Sequence, residues 1–267
     1  MAKSWKNMKN ENIQVQRFTI THRGEVISCR IDSLPETMDD AALILLLNLG
    51  ADETLDQEAY RQPALPFILA GHRAMSYDLP CHGSRVNVKY GMGIGGFTRM
   101  FKDGIDVFEQ IVGECRMLLE TVISMGLARE GRIAVCGCSR GGYAAFRALA
   151  ADSRIRCAAA ICPVTDWGYF PGFDFCRDEK RLSDTRLERY IPDIAGRPVH
   201  IVIGGHDSVV GTESCLRFYL NLGDENERRG YGRELASIIV TEDAGHTMSL
   251  AQRRRCGEFL MGVVNGT

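Results

Sequence analysis

A serine stands between glycines in the segment GCSRGG, residues 137–142. The apolar run RIAVC precedes this segment, and YAAFRALAAD, which has helical spacing, follows it. The pattern G-x-S-x-G between a strand and a helix predicts a tight, strained turn that lifts the serine hydroxyl above the carboxyl end of a sheet. The dipole of the following helix favours negative charge developing there. Ser139 is therefore a candidate nucleophile, and the alternative is a glycine-rich turn with an incidental serine.

A serine hydroxyl is a weak nucleophile unless a base lies beside it, so an acid and a histidine should follow later strands. Asp207 follows an apolar run in RPVHIVIGGHDSVVG, and His246 follows the next run in ASIIVTEDAGHTMS. Open α/β sheets bind ligands at the carboxyl ends of their strands, where all three residues are expected. The pattern predicts Ser139 as nucleophile, His246 as general base and then acid, and Asp207 as the group that orients the imidazole.

The elements that must position these residues alternate between strands and helices. An opening stretch, VQRFTITHRGEVISCRIDS, alternates polar and apolar residues around Arg23-Gly24, which predicts an antiparallel hairpin. Continuous apolar runs then predict strands buried on both faces, which are usually parallel. The predicted strands are Ala42–Leu47, Ala74–Tyr77, Ile133–Cys136, Ala158–Ile161, Val199–Ile203 and Ser237–Val240. Helical spacing occurs at Leu55–Leu69, Val107–Met125, Gly142–Ala151, Glu213–Leu222 and Ser249–Val263.

This order predicts an α/β fold with a mostly parallel, doubly wound sheet and the hairpin at one edge. Two longer stretches interrupt the alternation, one after the second parallel strand and one after the fourth, and both should lie over one end of the sheet. We expect an N-terminal tail at residues 1–14 and one domain at residues 15–267. Within that domain, residues 167–197 are expected to form a short insertion over the active site, like a small lid.

The sequence resembles the α/β-hydrolase superfamily over residues 15–264. Serine, acid and histidine occur in the chain order of that fold, and the segments HRAMSYDLPCHGSR and GLAREGRIAVCGCSRGG are similar to its fourth-strand turn and its helix, strand and nucleophile turn. ICPVTDW and PVHIVIGGHDSVV resemble the branch of prolyl-oligopeptidase catalytic domains and dienelactone-hydrolase-like esterases. The resemblance implies an α/β-hydrolase fold, no cofactor, and a serine hydrolase that works through an acyl-enzyme.

The same resemblance implies an oxyanion hole made of two backbone N–H groups. Arg140 should supply one of them. The second normally comes from the loop after the third strand, which reads LLNLGADETL here and lacks the usual His-Gly or glycine-rich form. We place that donor at Gly50 or Ala51.

Other residues compete for these roles. Asp166 and Asp78 also follow strand-like runs, and the alternative role of Asp166 is a turn or helix cap. His82 and His206 could act as bases, but chain order disfavours His82, and His206 is too close to the acid in sequence. Cys138 precedes the nucleophile, and a side chain at that position usually points away from the reacting centre.

Composition limits the function classes. The 267 residues carry a net charge of −2, with 45% hydrophobic and 25% charged residues, which is typical of an ordinary globular protein and disfavours nucleic-acid binding. Because no signal-like or membrane-spanning apolar segment is evident, we expect a cytoplasmic protein without a membrane partner. The ten cysteines are then expected as reduced thiols, and no zinc pattern is present, so no metal is expected.

The sequence favours hydrolysis of a small-molecule carboxylic ester. The alternatives are a peptidase or thioesterase of the same fold, or a binding module that has lost turnover. The run WGYFPGFDF offers Trp167, Tyr169 and Phe170 as walls of a substrate pocket, with packing of the insertion as the other interpretation. Loops fix the acyl and leaving groups, so the sequence determines neither these groups nor the oligomeric state.

Overall fold

Eight strands form one mixed sheet in this computed structural model, which describes residues 13–242 and 245–266. Their order across the sheet is β1-β2-β4-β3-β5-β6-β7-β8. The pairs β1–β2 and β2–β4 are antiparallel and the other pairs are parallel, which confirms a mostly parallel sheet with an antiparallel hairpin at its edge. The strands are β1 Gln14–His22, β2 Glu25–Ser33, β3 Leu43–Leu47, β4 Arg73–Tyr77, β5 Ile133–Cys138, β6 Ile155–Ile161, β7 Val199–Gly204 and β8 Ala236–Thr241.

The edge hairpin turns at the two residues that the sequence indicates. Arg23 and Gly24 both have positive φ, at 51° and 82°, which suits a two-residue turn between twisted strands. Burial alternates only near the turn, where Val26 is 61% exposed and Ile27 is fully buried. Further along β2, residues 29–32 are all buried, whereas most of β1 is exposed, so the solvated part of the hairpin is mainly the outer strand.

The central strands are covered on both faces. All five residues of β3 are buried, and so are all six residues of β7, because helices pack on each side of the sheet. The helices are α1 Ala51–Asp56, α2 Glu58–Arg61, α3 Leu65–Leu69, α4 Gly93–Lys102, α5 Val107–Ser124, α6 Arg140–Ala151, α7 Lys180–Ser183, α8 Ile191–Ile194, α9 Thr212–Arg228 and α10 Leu250–Asn265.

The single helix predicted over Leu55–Leu69 is wrong, because three short α-helices and one 3-10 turn occupy this stretch. Gln57, with ψ at 127°, is extended and ends α1. Pro63 and Pro66 then begin new turns, since proline lacks the N–H that a continuing helix requires.

The two long interruptions of the sheet pack against each other. The first contains α4, and the second contains 3-10 turns at Trp167–Tyr169, Pro171–Cys176 and Leu187–Tyr190 together with α7 and α8. The Phe101 and Phe173 rings lie 5.5 Å apart, and Arg181 Nη1 donates to the Phe101 carbonyl at 2.9 Å. Almost all of the predicted N-terminal tail lies outside the described residues, and β1 begins at Gln14.

Two further features bear on the chemistry of the chain. No described helix combines the length and the apolar character needed to cross a bilayer. All ten cysteines are free, and nine of them are buried. Such thiols pack as small apolar side chains.

Candidate active site

The turn between β5 and α6 holds Ser139 in a strained backbone conformation. Its φ is 56° and its ψ is −116°, a region that L-residues rarely adopt. The surrounding chain fixes this geometry, because the Ser139 N–H donates to the Ile161 carbonyl at 2.7 Å and its carbonyl accepts from the N–H groups of Tyr143 and Val164 at 3.1 and 3.2 Å. The hydroxyl therefore stands at the carboxyl end of the sheet and at the N-terminus of α6.

The glycines around Ser139 are required by close backbone contacts. A Cβ on Gly137 would lie 2.1 Å from the Gly141 carbonyl oxygen, and a Cβ on Gly141 would lie 1.6 Å from the Leu47 carbonyl oxygen. A Cβ on Gly142 would lie 3.1 Å from the Ala160 Cβ. The pattern G-x-S-x-G-G thus lets the turn pack tightly against β3 and β6.

Asp207 and His246 form a bonded pair. His246 Nδ1 lies 2.8 Å from Asp207 Oδ2, and the carboxylate is fully buried while the imidazole is 25% exposed. The other carboxylate oxygen accepts from the N–H groups of Val209 and Val210 at 2.9 and 3.1 Å. With both oxygens occupied, the carboxylate is held rigidly and presents one oxygen to the imidazole.

Ser139, Asp207 and His246 all follow strands whose carboxyl ends share one edge of the sheet. Ser139 follows β5, Asp207 follows β7 and His246 follows β8. No hydrogen bond joins Ser139 Oγ to His246 among the described residues. Catalytic hydrogen bonds often align only when substrate binds, so the missing bond does not exclude the pair from catalysis.

Cys162 lies against the Asp207–His246 pair and has no signal in the sequence analysis. It follows β6 with φ at 45°, and its N–H donates to the Val202 carbonyl at 2.7 Å. Its Sγ, a carboxylate oxygen of Asp207 and a ring nitrogen of His246 all lie within 4.8 Å of one another.

This trio of side chains has the residue types of a metal site. Burial raises the pKa of the Cys162 thiol well above its usual range, and the nearby Cys138 and Asp207 raise it further. The thiol is therefore protonated, whereas metals bind thiolates. His246 Nδ1 and Asp207 are already bonded to each other, so the trio is best described as an acid–imidazole pair with a neutral thiol beside it.

The loop after β3 differs from the expectation that Gly50 or Ala51 offers a free N–H. The Gly50 N–H donates to Glu53 Oε2 at 3.2 Å, and the Ala51 N–H donates to Asp78 Oδ1 at 2.7 Å. Neither group is free in this structure. The Asp78 carboxylate is buried and the Glu53 side chain is exposed, so the two bonds differ in how easily they can open.

Asn48 joins that loop to the nucleophile turn, a contact that the sequence analysis missed. Its side-chain oxygen accepts from the Cys138 N–H at 2.8 Å, and its carbonyl accepts from Arg140 Nη2 at 3.1 Å. The unusual sequence NLGAD thus has a structural reason, because its asparagine fixes the loop to both neighbours of Ser139.

The rival bases occupy other positions. His82 is buried, and burial followed by the charge of Arg140 lowers its pKa to about 4, so the imidazole is neutral. Arg140 Nη2 contacts His82 Nε2, which occupies the lone pair that a base would use. His206 is exposed, and none of the described hydrogen bonds involves its side chain.

The rival acids and the rival nucleophile also have structural roles. Asp166 accepts from the Gly168 N–H at 2.8 Å and pairs with Arg186 at 2.9 Å, so it caps the turn that follows. Asp78 accepts hydrogen bonds from the N–H groups of Ala51 and Ser84, so it joins the loop after β3 to the loop after β4. Burial raises the pKa of the Cys138 thiol, which disfavours a nucleophilic thiolate there.

The aromatic residues of the insertion divide into two groups. Trp167 is fully buried, with its ring centroid 4.8 Å from that of Phe108 and 5.3 Å from those of Tyr143 and Phe170. Its environment is that of a core residue, which corresponds to the packing interpretation. Tyr169 is 43% exposed and remains open to a ligand.

Comparison with known proteins places the chain in a family. The model of the prolyl oligopeptidase family matches residues 102–260. No curated protein sequence matches the chain.

Solved structures share the fold. A cold-adapted esterase from an Arctic intertidal metagenomic library is 21% identical with a TM-score of 0.66, over 95% of this chain and 92% of that one. The Pyrococcus furiosus esterase Pf2001 is 19% identical with a TM-score of 0.66, over 99% and 96%. A prolyl endopeptidase is 17% identical with a TM-score of 0.71, over 96% of this chain but 39% of that one.

These likenesses confirm the α/β-hydrolase fold that the sequence motifs indicate. The family match covers the helix before the nucleophile turn, the turn itself and the strands that carry Asp207 and His246. The chain therefore belongs to the prolyl oligopeptidase family of the α/β-hydrolase superfamily, and it is a serine hydrolase.

Proposed function

We propose that the protein hydrolyses small carboxylic esters through an acyl-enzyme, with Ser139 as nucleophile, His246 as general base and acid, and Asp207 as its orienting carboxylate. The observation that carries this proposal is the strained backbone of Ser139, whose φ of 56° is maintained by contacts that exclude a Cβ on either flanking glycine. Strain of this kind persists where it serves a function.

The bonded pair of Asp207 and His246 supports the role of the imidazole. With Nδ1 held by the carboxylate at 2.8 Å, Nε2 is the ring nitrogen left to accept the serine proton. Nε2 takes the serine proton as Oγ attacks the ester carbonyl, and then gives it to the departing alkoxide. Water completes the cycle by the same route and returns the free acid.

The oxyanion that forms during attack needs two donors. The Arg140 N–H opens α6, so it has no acceptor within the helix, and the side chain of Ser139 does not cap it. We place the second donor at the Gly50 N–H, whose 3.2 Å bond to the exposed Glu53 can open toward solvent. The Ala51 N–H stays with the buried Asp78.

We favour esters over peptides because two of the similar solved structures are esterases. Each of them matches this chain over more than nine-tenths of both chains. The family contains peptidases by its description, so a small peptidase is the second candidate.

The deciding experiment is intact-mass labelling with a fluorophosphonate at neutral pH, on the wild-type protein and on Ser139→Ala. We expect one adduct on the wild-type protein and none on the variant. A panel of short acyl esters and aminoacyl amides then separates esterase from peptidase activity. A folded wild-type protein that takes no label would overturn the triad and favour a binding module.

A further inference from the structure

Two of the five buried arginines have no acidic partner among the residues that the structure describes. Among the described residues, Arg30 bonds to Asp32 at 2.8 Å, Arg61 lies 3.8 Å from the same carboxylate, and Arg147 contacts Glu109. The remaining two buried arginines, Arg140 and Arg253, have no described carboxylate within 4.0 Å. The buried arginines are Arg30, Arg61, Arg140, Arg147 and Arg253.

Neutral groups surround the Arg140 guanidinium. Its Nη2 reaches the Asn48 carbonyl at 3.1 Å and contacts His82 Nε2, while the Phe97 ring lies 4.4 Å from its Cζ. Its Nε is buried without a hydrogen-bond partner. Burial lowers the pKa of Arg140 to about 10, so the group is still charged at neutral pH.

Arg253 is also buried and also has no acidic partner among the described residues. Its Nε donates to the Met248 carbonyl at 3.2 Å, and its Nη1 is buried without a partner. Its Cζ lies 5.8 Å from the centroid of the Tyr60 ring. Burial raises the pKa of the Tyr60 hydroxyl, and the charges of Arg253 and Arg140 both oppose that rise. The Arg253 guanidinium therefore lies beside the Tyr60 ring.

A buried charge without a counterion is costly, and proteins normally pair it. In this chain the other buried arginines follow that rule with carboxylates. Arg140 has no such carboxylate among the described residues, and it directly follows Ser139, where a substrate would supply the missing charge. An anionic ligand would offset the free-energy cost of burying the unpaired guanidinium charge, so the site should select anions over neutral ligands.

We propose that Arg140 binds a carboxylate on the acyl half of the substrate, so that the preferred ester is a monoester of a short dicarboxylic acid. This inference rests on the proposed function and narrows its substrate class. The carboxylate is chosen because it is the group that pairs with Arg30 and Arg147 elsewhere in the chain.

The strand order places this charge on the acyl side. Arg140 contacts Asn48 and His82, which follow β3 and β4, whereas His246 follows β8. β5, which carries the nucleophile, lies between these two sides of the sheet. Since the leaving alcohol takes its proton from His246, the group bound by Arg140 stays with the acyl chain.

The first test compares monomethyl glutarate with dimethyl glutarate, because the two esters differ only by a methyl group that removes the charge. Methanol release gives kcat/KM for each. We expect the wild-type protein to prefer the monoester by about a hundredfold, and Arg140→Gln to abolish most of that ratio. Arg147→Gln is the matched control, since it removes a buried, paired arginine from the same helix and should leave the ratio unchanged.

Equal loss on both esters in Arg140→Gln would show that the side chain only supports the loop, and a wild-type preference for the diester would also overturn the proposal. Calorimetry on Ser139→Ala provides a readout without turnover. Glutarate should bind this protein and bind at least about tenfold more weakly after Arg140→Gln is added. Binding of inorganic phosphate but not glutarate would overturn the carboxylate assignment.

The two proposals fail in different ways. Fluorophosphonate labelling of Ser139 together with absent glutarate binding would refute the anion site and retain the hydrolase. Glutarate binding together with absent labelling would refute the hydrolytic mechanism and retain the anion site.

Discussion

Asp78 is predicted to be a main support of the loop after β3, which Asn48 joins to the turn at Ser139. Its Oδ1 accepts from the Ala51 N–H at 2.7 Å, and its Oδ2 accepts from both the N–H and the hydroxyl of Ser84, each at 2.7 Å. The carboxylate is 5% exposed, so it links the loop after β3 to the loop after β4 from within the protein. Asp78→Ala removes all three bonds.

The loss in free energy of unfolding expected for Asp78→Ala depends on how deeply each hydrogen-bond partner of Asp78 is buried. Ala51 is 4% exposed, so its orphaned N–H loses a charge-assisted bond that water cannot replace, at about 1.5–3 kcal/mol. Ser84 is exposed, so water replaces its two bonds at a cost of about 0.5 kcal/mol each. The free energy of unfolding should therefore fall by about 2.5–4 kcal/mol, measured by urea unfolding followed by circular dichroism.

Gly83 gives this prediction a stringent control. A Cβ at Gly83 would lie 2.3 Å from Asp78 Cγ, and its φ is 52°. Gly83→Ala should cost several kcal/mol in the wild-type background, but only about 1–2 kcal/mol in Asp78→Ala, where the clash is absent and only the left-handed backbone strain remains. Additive costs in the double variant, or a cost below about 1 kcal/mol for Asp78→Ala, would refute the reasoning.

Two further predictions concern ionisable side chains. Asp207→Asn should lower kcat on the order of a thousandfold in ester hydrolysis, because His246 loses the carboxylate that orients it, and a loss under tenfold would exclude that role. His82 and His200 have pKa values lowered to about 4 by burial, and by Arg140 in the case of His82, from an ordinary 6.5. Between about pH 4 and 6.5 these histidines therefore bind more protons in the unfolded chain than in the folded protein. The free energy of unfolding should fall as the pH drops through this range, by up to about 1.4 kcal/mol per pH unit for each histidine. Urea midpoints across this range should shift less in His200→Gln than in the wild-type protein, and an equal shift would contradict the assignment.

The parts of the site that the sequence predicts are those whose steric needs appear as local patterns. Gly137 and Gly141 flank Ser139 because backbone oxygens lie where a Cβ would be, and this requirement shows as glycine at fixed spacing. Asp207 and His246 follow apolar strands, so parallel strand order brings them to one edge of the sheet. The break of the Leu55–Leu69 helix also had a local signal, since prolines stand inside it.

Other features depend on contacts between distant residues and left no local pattern. The bond between Asn48 and Cys138 joins residues 90 positions apart. Cys162 is one of ten cysteines, and only the fold shows that it lies against the acid–imidazole pair. That no described acid pairs with Arg140 is likewise invisible in sequence, because the chain has 34 acidic residues for its 32 lysines and arginines.

Position 140 divides its contributions between main chain and side chain. The N–H that opens α6 is present with any residue except proline, whereas the buried guanidinium belongs to arginine alone. A change of side chain at this position can therefore remove the buried charge while the amide remains beside Ser139. Enzymes descended from one ancestor can therefore come to differ in substrate preference through the side chain at this position, while the main-chain N–H and the reaction stay the same.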